Sequence, residues 1–239
     1  MRRREFITIL CCAATAWPRS SVGQAPRKTR PLIGWVSGGG RTASWTFVEA
    51  FLEGMRDFGY VEGKQFDFTH RFADGYVERL PALAEELVRL NPSVIVAPGS
   101  GPAVAARKAT ATIPIVAPAL GDAVHLGLIA SEERPGGNVT GISPYVPGLP
   151  AKQLEFAREI LPSAGSIGVL ANLVDPKAPP QLQELRDAGQ KMGIIVVAAE
   201  ADTPSDLDSA IQSLVSQRTD VIIVLQTSML LSERKKLLR

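Results

Sequence analysis

The chain has 239 residues, 45% hydrophobic and 21% charged, which is ordinary globular composition with length for one large or two small domains. Its formal charge of +2 comes from the amino terminus: residues 1–25 carry four arginines and one glutamate, leaving 22 basic and 23 acidic side chains, so no basic patch argues for nucleic acid. Cys11 and Cys12 fall in the same stretch, so the remainder has no disulfide or thiolate chemistry and suits an oxidising compartment.

Arg2, Arg3 and Arg4 make a positive start. The run Phe6 to Trp17 is apolar but too short to span a bilayer. Gly23-Gln24-Ala25 is a small-x-small cleavage site, which completes signal-peptide architecture over residues 1–25 and predicts delivery to the periplasm. Arg3-Arg4-Glu5-Phe6-Ile7 resembles the twin-arginine export signature, although Arg2 replaces the usual Ser or Thr before the pair. A lipoprotein anchor is not expected, because neither Leu10 before Cys11 nor Cys11 before Cys12 is small. The alternative is an uncleaved amino-terminal helix.

Leu32–Val36 predicts a buried strand with a turn at Ser37-Gly38-Gly39-Gly40. Thr46 to Phe58 predicts a helix that packs Phe47, Phe51, Met55 and Phe58 into the core. Gln65–Phe72 reads as a strand with Phe66, Phe68, His70 and Phe72 on one face. Tyr76 to Asn91 is an amphipathic helix, ended by Pro92.

The stretch Ser93 to Val116 is the centre of the chain. Val94–Ala97 predicts a strand, Pro98 stops it, and Gly99-Ser100-Gly101 turns the chain. Pro102 is expected at the first helical position, with the helix running to about Thr110 and the next strand at Ile113–Val116. In an open parallel sheet, ligands bind at such a strand-to-helix turn. The backbone N–H groups there favour an anionic group such as a carboxylate. A plain structural turn is the competing reading.

Ala117–Asp122 is a second strand-end loop, followed by an expected helix from Ala123 to Ser131 and a short strand at Val139–Ile142. Ser143 to Pro150 holds three prolines and one glycine and marks a boundary. Beyond it, helices are predicted over Lys152–Leu161, Gln181–Met192, Asp206–Gln217 and Ser228–Arg239, alternating with strands over Ile167–Ala171, Ile194–Ala198 and Val221–Leu225. Alternating strands and helices give doubly wound parallel sheets. The expected architecture is α/β, with two lobes at residues 31–142 and 143–239, joined by a hinge, and strand carboxyl ends facing the cleft between them.

The sequence offers no zinc spacing and no Ser-His-Asp arrangement from His70 and His125. Gly38-Gly39-Gly40-Arg41-Thr42-Ala43 fits the loose G-x-G-x-x-A pattern, and the basic pair His70-Arg71 stands where an acidic ribose contact would be. An exported NADP-type oxidoreductase is therefore the enzymatic alternative.

GYVEG at 59–63, RLPALAEELVR at 79–89, TIPIV at 112–116, GDAV at 121–124 and RPGGNVTG at 134–141 resemble the ABC-transporter substrate-binding proteins of the tryptophan/phenylalanine-binding type. The resemblance implies a type I periplasmic-binding-protein fold, no catalysis, no cofactor or metal, and a small amino-acid-like solute held between closing lobes. It also implies ABC permease and ATPase partners, no nucleic acid, and a monomer. A periplasmic ligand-sensing domain is a further alternative. For an amino-acid-like solute, Ser100 and the N–H groups near Gly101 receive the carboxylate and Asp122 pairs with the ammonium. Ser37 and Ser44 add hydrogen bonds, and Asn172 and Gln226 reach from the second lobe. Capping and turn-making are the alternatives for Asp122 and Asn172.

The chain departs from the family pattern in two places. The loop Gln226-Thr227-Ser228 is less typical, and the second lobe shows three strand runs against five in the first. The expectation is a carboxyl-terminally truncated second lobe with an open sheet edge and uncovered leucines at 230, 231, 237 and 238.

Overall fold

The computed structural model describes residues 30–143 and 148–238. The expected leader, with Arg3, Arg4, Cys11, Cys12 and Ala25, lies outside them, as do residues 144–147 of the proline-rich stretch.

The first lobe is a parallel sheet of five strands in the order β2-β1-β3-β4-β5. These are β1 (Leu32–Ser37), β2 (Asp67–Phe72), β3 (Val94–Val96), β4 (Ile115–Ala117) and β5 (Val139–Gly141). The connecting helices are α1 (Arg41–Asp57), α2 (Leu80–Arg89) and α3 (Ser100–Ala109). β1 is buried along nearly its whole length, as its unbroken apolar sequence requires when helices cover both faces. Gly34 lets α2 approach closely: a β-carbon there would stand 3.3 Å from Leu87 Cδ2.

The second lobe is a parallel sheet in the order β7-β6-β8, made of β6 (Ser166–Ala171), β7 (Ile195–Glu200) and β8 (Val221–Val224). Its helices are α4 (Leu149–Ile160), α5 (Ala178–Met192), α6 (Leu207–Ser216), α7 (Ser228–Ser232) and α8 (Arg234–Leu237). The lobe has its own core, in which Leu154, Ile167, Leu185, Leu207 and Leu214 are fully buried. Each such side chain contributes roughly 1.5–3 kcal/mol of transfer free energy. The first lobe's cores share no residue with it. Both sheets nevertheless belong to one compact unit, Pro31–Arg239.

Four expectations need correction. α1 begins at Arg41, not Thr46, and its inward stripe is Val48, Phe51, Leu52 and Met55. Phe47 is 48% exposed, and Phe58, beyond the helix end, is 84% exposed. α3 begins at Ser100, so Pro102 is its third residue; the first-turn N–H groups lack helical partners, which makes proline harmless there. Residues 123–131 form turns instead of a helix, because Gly127 adopts a left-handed φ of 65° and the chain closes on itself through Leu128 N–H donating to Ala123 O at 3.0 Å. The last helix is two short ones interrupted at Glu233, and Leu230 is buried in the second lobe's core, leaving Leu231 and Leu238 exposed.

Candidate functional site

The carboxyl ends of β1, β3 and β4 carry the loops 37–40, 97–100 and 118–122, and the carboxyl ends of β6 and β8 carry 172–177 and 225–228. The two sets meet in a seam between the lobes. Gly40 N–H donates to Ser232 Oγ at 3.1 Å, and Ser232 Oγ donates to Ser228 O at 2.9 Å. Gly39 has no room for a side chain: a β-carbon would fall inside contact distance of Ser232 Oγ, and 2.8 Å from Ser44 Oγ. Lower in the seam, a β-carbon on Gly121 would stand 3.1 Å from both Lys177 Cγ and Ser100 Oγ. The lobes are therefore closed on each other. The seam retains a cavity of about 10 Å³, flanked by Gly121, Asp122 and His125 from the first lobe and Pro176, Lys177 and Pro180 from the second. That is room for one water molecule. A larger open hollow of about 620 Å³, lined in part by Arg107, Pro114 and Asn138, lies at the opposite, amino-terminal ends of β4 and β5.

In the first lobe the expected residues cluster in two groups. Ser37 and Ser44 are both buried, with their hydroxyls 3.2 Å apart, and Ser37 Oγ accepts Gly39 N–H at 3.3 Å. Ser100 is 1% exposed, and its Oγ accepts Gly121 N–H at 2.8 Å, which ties the loop after β4 to the first turn of α3. Gly101, the second residue of that helix, is buried beside Leu80 and Pro176. Asp122 is exposed next to the cavity; its Oδ1 accepts His125 N–H at 3.0 Å and caps the turn.

The second lobe distributes its expected residues differently. Asn172 is fully buried, but its amide donates to Ala201 O and Asp202 O, each at 2.9 Å, and so braces β6 against the end of β7. Its Oδ1 has no hydrogen-bond partner among the described residues. Gln226 is exposed, and the seam contacts after β8 come from Ser228 and Ser232 instead. Thr227, buried, caps α7 by accepting Leu230 N–H at 3.3 Å.

Four seam residues escaped the sequence reading: Asp175, Lys177, Ser228 and Ser232. Asp175 is 4% exposed. Its carboxylate accepts backbone N–H groups of Lys177, at 3.0 Å, and of Ser228. Burial raises its pKa, against the opposing pull of those two donors and of the Lys177 charge. Burial also lowers the pKa of Lys177, partly offset by Asp175. The available signal was the Asp-Pro-Lys run in the loop between β6 and α5, where a charged side chain lands near the carboxyl edge of the sheet.

The arrangement has the form of a closing binding cleft: polar side chains and loop backbone from two separately cored lobes, meeting at strand carboxyl ends. Residues 35–239 match the family described as ABC transporter substrate binding protein. The chain belongs to that family. Among substrate-binding relatives, the tyrosine-binding protein of Clostridioides difficile (strain R20291) is 32% identical over 184 residues, which is 77% of this chain and 52% of that protein. A conserved domain protein of Vibrio cholerae is similar in structure, with a TM-score of 0.74 and 33% identity over 81% of this chain and 64% of the other. The ABC domain from Streptococcus pneumonia in complex with L-Trp has a TM-score of 0.76 at 20% identity, over 87% of this chain and 69% of that one, which shows a shared fold. The chain spans about half the length of the Clostridioides relative. Among the described residues, no helix is long and apolar enough to cross a membrane.

Proposed function

We propose that this substrate-binding protein captures a small amino-acid-like solute in the seam between its lobes and delivers it to an ABC permease and ATPase, without catalysis. The observation that carries the reading is the convergence of Ser100, Gly121 and Lys177 at one point of the seam, each from the loop at a strand's carboxyl end. Ser100 Oγ and the N–H groups at the start of α3 receive the carboxylate, where the helix dipole favours negative charge. Asp122 takes the ammonium. Ser37 and Ser44 line the upper seam; Asn172, engaged with Ala201 and Asp202, and the exposed Gln226 are the second lobe's expected contacts and reach the solute only after rearrangement. The relatives that bind tyrosine and L-Trp support an amino acid as the solute class.

Because the closed seam leaves room for only about one water, a solute enters after the lobes part. The protein acts as a monomer in the periplasm. The arginine-rich start and the small-residue site near Ala25 support export, with the twin-arginine route as its finer form. The G-x-G-x-x-A loop is covered by Ser228 and Ser232, which disfavours a dinucleotide on that face.

The test is mass spectrometry of small molecules that co-purify with the chain, followed by calorimetric titration. A co-purified amino acid that binds stoichiometrically supports the reading; nucleotide recovered in its place overturns it.

A further inference from the structure

Lys177 occupies an unusual position for a lysine. It leaves the loop after β6, crosses the seam, and lays its stem against the backbone of Gly121 in the other lobe. Much of it is removed from solvent, yet among the described residues its ammonium forms no ion pair within 4.0 Å. The buried carboxylate whose charge acts on it, Asp175, is already held by two backbone N–H groups. A partly buried cation without a contact partner carries a desolvation cost that a bound anion relieves. Ser100 Oγ stands on the same side of Gly121 as the lysine stem, and Asp122 flanks the cavity beside them.

We propose that Lys177 is the specificity-determining cation of the site: it engages the solute's carboxylate from the second lobe while Ser100 and the start of α3 engage it from the first. This rests on the seam being the solute site. One carboxylate then bridges both lobes, so the charge that selects the solute is also the charge that holds the lobes closed. Asp122, on the same cavity, completes a zwitterion-complementary pair for an α-amino acid. The site accordingly prefers a free carboxylate over its amide, and loses that preference when the cation is removed.

The experiment titrates the full chain and its Lys177→Gln variant with L-tyrosine, L-tryptophan and the corresponding amino acid amides. The parent is expected to favour the acid over the amide by about tenfold or more, the range of a charged hydrogen bond. The variant is expected to bind the acid correspondingly more weakly and the amide about as well as the parent does. A variant damaged only in its packing weakens acid and amide alike, and that result overturns the role of Lys177, as does an unchanged acid-to-amide ratio. Failure of the parent to bind any of the four compounds overturns both this inference and the amino-acid reading. Lys177→Arg, which keeps the charge, is expected to retain the preference for the acid.

Discussion

Gly40 and Ser232, 192 positions apart in sequence, are joined by a 3.1 Å hydrogen bond from the glycine N–H to the serine Oγ. The serine hydroxyl in turn donates to Ser228 O at 2.9 Å, so the amino-terminal turn of α1 is tied to the turn of α7. This link joins a loop of the first lobe to a helix of the second, well away from the chain crossover after β5.

Ser232→Ala removes the acceptor for the Gly40 N–H. A neutral hydrogen bond of this kind contributes about 0.5–1.5 kcal/mol, so the closed-to-open equilibrium constant is expected to fall by a factor of roughly 2–12. Distance measurement between spin labels on the two lobes checks this. An unchanged distance distribution removes the link from the closing mechanism.

Gly39→Val places a branched side chain where Ser232, Ser44 and Ser228 already stand. Overpacking of this kind costs roughly 1–3 kcal/mol, and here it falls on closure because the obstruction lies between lobes. Small-angle scattering is expected to show a larger radius of gyration, with far-ultraviolet circular dichroism unchanged. A compact variant with parental dimensions contradicts this.

Leu154→Ala opens a cavity in the second lobe's core, where Leu154 is fully buried. The loss expected is about 2–5 kcal/mol. Denaturant unfolding followed by Trp35 and Trp45 fluorescence, which report the first lobe, against total circular dichroism shows whether the lobes unfold together or separately. A loss below about 1 kcal/mol contradicts the burial of this residue.

Asp175→Asn tests the buried carboxylate. Burial raises the folded-state pKa of Asp175, so the folded chain holds its proton more tightly than the unfolded chain does. Its contribution is thus most favourable below the unfolded value and is lost as pH rises through the folded one. Asparagine keeps an oxygen acceptor for the Lys177 and Ser228 N–H groups without the charge. Thermal unfolding is expected to show the variant gaining stability relative to the parent as pH rises from the acid range to neutrality. A gap that does not change with pH contradicts the desolvation of Asp175.

The strand count and the parallel arrangement followed from short apolar runs, several of them ended by Pro, Gly or Asn, and those signals are local. The aromatic face of β2 was legible for the same reason: the His70 ring lies 5.1 Å from that of Phe72, tilted at 43°, and meets Trp45 edge-on at 5.2 Å. The errors arose where a local pattern competed with tertiary contact. Phe47, Phe51, Met55 and Phe58 have helical spacing, but sheet geometry turned Val48 and Leu52 inward. Gly127 broke a plausible helix by one backbone angle. At the seam, Ser37 and Ser100 were visible because each belongs to a strand-to-helix turn, at the end of β1 and at the start of α3. Lys177 and Ser232 were not, because their significance comes from the opposing lobe, and no local pattern carries that information.

The most direct measurement is calorimetric titration of the parent and Asp122→Ala with L-tyrosine and L-tryptophan. Asp122 lines the seam cavity and is the residue proposed to take the ammonium. The parent is expected to bind at one site per chain, and the variant more than tenfold more weakly, since a charged hydrogen bond contributes about 1.5–3 kcal/mol. No heat with the parent, or equal affinity in the variant, contradicts amino-acid capture in the seam.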